Sequence, residues 1–307
     1  MKLEEIGFYT LSDARVTCDH DCIMRCEIVI TRQCNFKCPY CRGIESKTVS
    51  LEEVKSWIDI INKDGIYAIR FTGGEPTLHP DLLEIVKYAK KVGVTMIAIS
   101  TNGSADISYY KKLIDNGVND FSISLDACCS EVGHKMCGID GAWEKVIENI
   151  KELSKLCYVT VGVVIHDKEQ DPEKIIQFAH DLGVADIRII SSAQTNDDIK
   201  VKDIITNNHP ILKYRLSKHR PLRGIFDNDC FKCPLVLDDV AILNGLHYPC
   251  IIYMREKGMP IEELNKDFKI DREKWFLNHN TKLDPICKKN CLDVCVEYNN
   301  KWCNQWN

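Results

Sequence analysis

An α/β fold of consecutive βα units is what this 307-residue sequence predicts, and three observations predict it. Six short apolar runs rich in β-branched residues recur between residues 27 and 192. Amphipathic stretches of helical length separate them, and capping residues and glycines mark where those stretches start and stop. Strands that alternate with helices in this way form a parallel sheet with crossover helices.

Taken in order, the strand candidates are EIVIT (27–31), YAIRFTG (67–73), TMIAIST (95–101), DFSISLD (120–126), YVTVGVVI (158–165) and DIRIISS (186–192). Helix candidates lie near 50–63, 80–92, 106–116, 142–156 and 172–182. Ser50, Asp106 and Asp171 have the side chains that accept from the free N–H groups of a first helical turn. Asn116-Gly117 and Leu182-Gly183 place a glycine just past a helix end. Parallel βα units put every strand-to-helix loop on one face, where enzymes of this class build their sites. The segments CNFKCPYC, GGEP, TNG and LDA each follow a strand, so all four should converge there.

Composition narrows the function. With 45% hydrophobic residues, the chain can bury a large core and has room for a second, smaller domain. It carries 17 cysteines but no apolar leader behind its charged start, MKLEEIG, so metal ligation in a reducing cytoplasm fits better than a disulfide scaffold. No apolar run approaches the ~20 residues of a membrane span. A net charge of −5 argues against general attraction to nucleic acid. The local exception is 200–223, where Lys200, Lys202, Lys213, Arg215, Lys218, Arg220 and Arg223 face only Asp203, with His209 and His219 among them. This reads first as a solvated basic face or linker, and second as a grip on an acidic peptide or a phosphate backbone.

Cys34, Cys38 and Cys41 form a CxxxCxxC loop directly after the first strand. An ordinary [4Fe–4S] cluster takes four cysteines, so three leave one iron open to a ligand that is not protein. The alternative is a zinc knuckle, which needs a fourth N or S ligand. The spacing resembles the signature of the radical S-adenosylmethionine (SAM) enzymes, and the segments on the same face appear in that superfamily's order over about residues 25–192. The resemblance implies a partial (βα)6 TIM-type barrel. It also implies that the open iron chelates the amine and carboxylate of SAM and cleaves it to a 5′-deoxyadenosyl radical.

It assigns further roles residue by residue. FTGGEPT resembles the motif that binds the SAM amino group, which implies Gly73, Gly74 and Glu75. STNG and SISLDA resemble segments lining the SAM pocket, which implies Asn102, Ser124 and Asp126. Tyr40 stands where the family has an aromatic residue beside the adenine, and Ile189 is expected to close the purine's other side.

Seven cysteines crowd the tail: Cys230, Cys233, Cys250, Cys287, Cys291, Cys295 and Cys303. The run from Cys233 through Gly245 to Cys250 resembles the opening of a SPASM or twitch auxiliary-cluster domain, and Cys291 to Cys303 resembles its close. The even spacing of Cys287, Cys291 and Cys295 departs from that pattern, so one or two auxiliary [4Fe–4S] clusters fit, with a structural zinc site as the alternative. The expected organisation is an extension at 1–26, the barrel at 27–192, a basic linker at 193–228 and a cysteine-rich domain at 229–307. Cys18, Cys22 and Cys26 would form a thiol row if helical. Cys128, Cys129 and Cys137 fall in the loop after the fourth strand, either as small buried residues or, with Cys137 first, as a hydrogen-atom donor to a substrate radical.

The resemblance implies a cytoplasmic enzyme fed by a low-potential donor such as flavodoxin or ferredoxin. Its first expected substrate is a peptide to be crosslinked, epimerised or oxidised. A small-molecule dehydrogenase and an RNA- or nucleotide-modifying enzyme are the alternatives. Only about 25 residues precede the barrel, so a peptide leader would be held by the barrel or the tail.

Overall fold

The alternation of apolar residues becomes six parallel strands. The computed structural model describes residues 23–43, 47–166, 168–193, 208–216 and 220–306. Its strands are β1 (Ile23–Thr31), β2 (Ile66–Gly73), β3 (Met96–Thr101), β4 (Asp120–Ser124), β5 (Tyr158–Ile165) and β6 (Asp186–Ser191), side by side in the order β6-β5-β4-β3-β2-β1. Helices α1 (Leu51–Ile61), α2 (Leu82–Lys91), α3 (Ile107–Asp115), α4 (Ser130–Cys137), α5 (Ala142–Leu153) and α6 (Pro172–Asp181) connect them. The caps act as expected: Ser50 forms a reciprocal capping box with Glu53, and Asp106 and Asp171 accept from first-turn N–H groups. Gly117 and Gly183 take positive φ past the ends of α3 and α6.

Side chains alternate across each strand, and here the two faces differ in chemistry. Ile28, Ile30, Ile69, Phe71, Ile97, Ile99, Phe121, Ile123, Val161, Ile187 and Ile189 pack with Val54, Trp57, Ile58, Ile85, Ile150 and Ile175 of the helices in one buried core. Residues of the opposite parity, among them Arg25, Glu27, Arg70, Asp120, Thr160 and Arg188, belong to the concave face. A parallel sheet is usually apolar on both faces; this one encloses charge.

Two elements differ from the sequence expectation. β1 starts at Ile23, four residues early, because Arg25 and Glu27 point inward, where Arg25 pairs with Asp239 at 2.7 Å. Cys26 is therefore buried in a strand and does not share a helical thiol row; Cys18 and Cys22 lie outside the described residues. The expected loop after β4 contains α4, in which Gly133 packs against the Trp143 ring too closely for any side chain.

The tail continues the same sheet. β7 (Asp239–Leu243) runs parallel to β1 on its free side, and β8 (Leu246–Tyr248) and β9 (Glu262–Glu263) add antiparallel. Around them lie α7 (Pro210–Leu216), α8 (Ile251–Arg255), α9 (Phe268–Asn278), α10 (Pro285–Asn290) and α11 (Asp293–Trp306). Arg272 of α9, 1% exposed, knots this region together by donating to the carbonyls of Val236, Asp239, Tyr248 and Pro249.

The described arginines of the basic stretch are structural, not a solvated face. Arg215 is buried against Asp293, Arg220 pairs with Asp229 at 3.0 Å, and buried Arg223 donates to the carbonyls of Ser191 and Asn290. Lys200, Lys202, Asp203, Lys218 and His219 lie outside the described residues. Among the described residues, no helix is long and apolar enough to cross a membrane.

Candidate active site

The loop after β1 carries three free thiols, with Cys34 and Cys41 exposed and Cys38 half-buried. Backbone amides already point at two of the sulfurs: Phe36 donates to Cys34 Sγ and Gly43 to Cys41 Sγ, each at 3.4 Å. Such bonds favour the thiolate that a metal requires. Without a metal, burial pushes the Cys34 thiol up and the Cys38 thiol up to about 12, with Asp126 and the neighbouring cysteines adding to the latter.

The GG pair acts on this loop. A Cβ on Gly73 would sit 2.3 Å from the Thr31 carbonyl oxygen, and one on Gly74 would sit 2.3 Å from that of Gln33. Gly74 N–H donates to Thr31 O at 2.8 Å and Glu75 N–H to Gln33 O at 2.7 Å. In this structure the absence of a side chain at both glycines lets β2 lie directly against the cysteine loop's backbone.

Glu75 is fully buried, and both of its oxygens are taken. One accepts from Thr77 N–H, Thr77 Oγ1 and Thr101 Oγ1, and the other from Asn102 N–H at 2.6 Å. Burial pushes its pKa up, and these bonds oppose the shift. Glu75 thus forms a joint between β2 and β3. Through it Asn102 is set beside the loop, donating to Asn35 at 2.8 Å with Cys34 Sγ 3.9 Å away.

Asp126 ties β4 to the loop from the other side, accepting from Tyr40 Oη at 2.6 Å and from Val164 N–H at 2.7 Å. Burial raises its pKa to about 6, against the lowering effect of both bonds. Ser124 is exposed at the end of β4. Cys137, half-buried at the end of α4, lines a cavity with Phe36, Cys38, Ser124, Asp126 and Trp143, and its carbonyl accepts from Lys37 N–H at 2.8 Å.

Ile189 does not join this group. It is fully buried in the core between sheet and helices, because the pleat of β6 turns it outward. Its neighbour Ile190, of inward parity, is only half-buried.

In the tail, Cys233, Cys250, Cys287, Cys291 and Cys295 are free and close enough for their charges to raise one another's pKa values. Burial is the larger cause in each case, carrying Cys250 up to about 12. Asn299 Nδ2 donates to Cys233 Sγ at 3.5 Å, and Tyr253 N–H to Cys250 Sγ at 3.4 Å. Cys230 and Cys303, expected among the ligands, are instead joined to each other as a disulfide, their Cα atoms 6.5 Å apart. His279, not singled out in the sequence, stands 3.7 Å from Cys287 Sγ and beside Asp284. A histidine followed eight residues later by a cysteine was its only signal.

Ligand spacing differs between metals. Around one zinc at about 2.3 Å, tetrahedral thiolates lie about 3.8 Å apart. Among the described residues, the group compact enough for a single ion is His279, Asp284 and Cys287, whose ligand atoms lie within 4.8 Å of one another. A [4Fe–4S] cluster instead gives each cysteine its own iron.

A family model, the Radical SAM superfamily, matches residues 28–181. The chain belongs to the radical SAM superfamily. It is a radical SAM enzyme, and membership implies a [4Fe–4S] cluster and SAM. Proteins named "Probable GTP 3',8-cyclase" from Saccharolobus islandicus and Saccharolobus solfataricus are 34% identical over 172 residues, which is 53% of this chain and 55% of theirs. The chain thus matches about half the length of these curated relatives. Among solved structures, Streptococcus suis SuiB bound to S-adenosylmethionine superposes with TM-score 0.60 at 16% identity, covering 87% of this radical SAM chain and 67% of SuiB. Native anSMEcpe with bound AdoMet and Cp18Cys peptide gives 0.56 at 16% identity, covering 93% and 95%. At that identity the likeness is one of fold.

Proposed function

We propose that this enzyme reductively cleaves SAM at Cys34, Cys38 and Cys41 and abstracts a hydrogen atom from a substrate held on the concave face of the sheet. One observation carries the reading: three free thiols on one loop in CxxxCxxC spacing, with two sulfurs already accepting amide hydrogen bonds. Bound there, a [4Fe–4S] cluster and SAM would supply the 5′-deoxyadenosyl radical. The chain's own part is positioning. Glu75 fixes Asn102 beside Cys34, the GG pair seats the loop on β2, and Asp126 holds the Tyr40 ring over the site. Cys137, on the same cavity as Cys38, keeps a thiol hydrogen within reach of a substrate radical.

The five free tail thiols are proposed to hold one auxiliary [4Fe–4S] cluster, four as ligands with one to spare. Such a cluster would be able to accept the substrate's electron in a net two-electron oxidation, or to ligate the substrate directly. Modification of a peptide is the first reading, supported by a fold shared through the tail with SuiB and anSMEcpe, both of which were solved with peptides. A nucleotide substrate is the second, favoured by the 34% identical relatives named probable GTP 3',8-cyclases.

Iron and sulfide counts test the cluster inventory. Anaerobically reconstituted protein is expected to hold about eight irons, and the Cys34/Cys38/Cys41→Ala triple variant about four. A count near twelve would show a second auxiliary cluster, and a triple variant that keeps all its iron would remove the first from this loop.

A further inference from the structure

The concave face holds charge that the cysteine loop does not use. Arg25, Arg70, Arg188 and Arg255 surround Glu27 closely enough to hold its carboxyl below the usual range despite burial. Of the carboxylates near them, Asp239 is engaged by Arg25, and Asp120 by Arg70 at 2.9 Å through Oδ2 alone, its Oδ1 having no hydrogen-bond partner. That leaves cationic donors over. Arg70 is 4% exposed, yet its Nε has no hydrogen-bond partner; Thr160 is fully buried, and its hydroxyl has none. The Arg188 guanidinium, half-buried on β6, makes no hydrogen bond or ion pair among the described residues, and its Nε is enclosed. Unmet buried donors of this kind are costly, and two guanidinium groups near each other add repulsion.

Space lies beside one of these donors. Ala68 and Ala98 leave a cavity lined by Arg25, Arg70 and Asp120, though not by Arg188 or Thr160. Gly162 pairs in register with both Ser124 and Arg188, and a Cβ there would meet nothing nearer than 3.9 Å. Ser124 also lines the cavity that contains Cys38, so the level of Arg188 adjoins the cysteine loop.

We infer that Arg188, the Nε of Arg70 and the Thr160 hydroxyl form an anion site that holds a carboxylate or phosphate group of the substrate below the cysteine loop. Arginine's planar fork matches either oxyanion. The inference deepens the proposed function by giving the substrate a required anionic group, and it rests on that reading only for the word substrate.

Thermal melting of the reconstituted full chain, in inorganic phosphate or in succinate and against chloride at equal ionic strength, tests it. One of the two anions is expected to raise the wild-type melting temperature. Phosphate would point to a nucleotide or phosphoester, and succinate to an acidic peptide or small acid. Arg188→Met and Thr160→Val should reduce the shift by more than half. Without anion, Arg188→Met should melt no lower than wild type, since an unpaired cation beside Arg70 is gone. Arg188→Gln serves if the Met variant fails to fold. The shift must persist in Cys34→Ala, so a protein that binds anion but makes no 5′-deoxyadenosine would sink the radical reading and leave this site standing. No shift with either anion in wild type, or an equal shift in the Arg188 variants, overturns the site.

Discussion

Replacing Cys34 with alanine is expected to lower 5′-deoxyadenosine formation on the order of a thousandfold or more, because a three-thiolate site has no ligand to spare. Folding should scarcely notice. Cys34 is exposed on a loop, and its sulfur's neighbours, Phe36 N–H and the Asn102 side chain, stay near water or near Asn35. Denaturant unfolding should therefore place the variant within about 0.5 kcal/mol of wild type. Activity lost together with several kcal/mol of stability would mean that the loop is structural. Full activity would place the chemistry elsewhere.

The largest expected effect on stability is at Arg272. Its guanidinium satisfies four backbone carbonyls and touches His247 Nδ1, all buried, where β7, β8 and α9 meet. Burial lowers its pKa to about 10, still far above neutrality, so the group stays charged. Arg272→Met keeps the volume but strands those carbonyls, and is expected to cost about 3–5 kcal/mol. Arg272→Lys should recover little, since a single ammonium cannot span the fork. Urea unfolding measures the loss, and limited proteolysis should show the tail opening before the sheet of β1–β6. A loss under about 1 kcal/mol would mean that water replaces the guanidinium.

These two residues also mark what the sequence made legible. CNFKCPYC stood out because strand, loop and thiol spacing are local, and the structure keeps the loop at the end of β1 as read. Helix caps at Ser50, Asp106 and Asp171 were likewise local. Arg272 was silent, since nothing near it in sequence announces that carbonyls from residues 236 to 249 will converge on it.

Parity explains other misses. Ile189 and Ile190 look alike in DIRIISS, and only the register of β6 sends one to the helices and the other inward. Arg70 and Arg188 each interrupt an apolar run and read as isolated blemishes; folding brings them to one concave face. The basic stretch misled in the opposite way, because Arg215, Arg220 and Arg223 find Asp293, Asp229 and backbone carbonyls that lie far off or out of pattern. Cys230 and Cys303 sit 73 residues apart, a separation from which no pairing can be read.

The central claim is that the Cys34/Cys38/Cys41 loop leaves an iron open to SAM. Electron paramagnetic resonance of the reduced, reconstituted protein tests it most directly. Adding SAM to wild type should change the spectrum of one cluster, while the triple alanine variant should show only the tail signal, unmoved by SAM. A wild-type spectrum that SAM leaves unchanged, or a SAM response that survives loss of the three cysteines, would contradict the account.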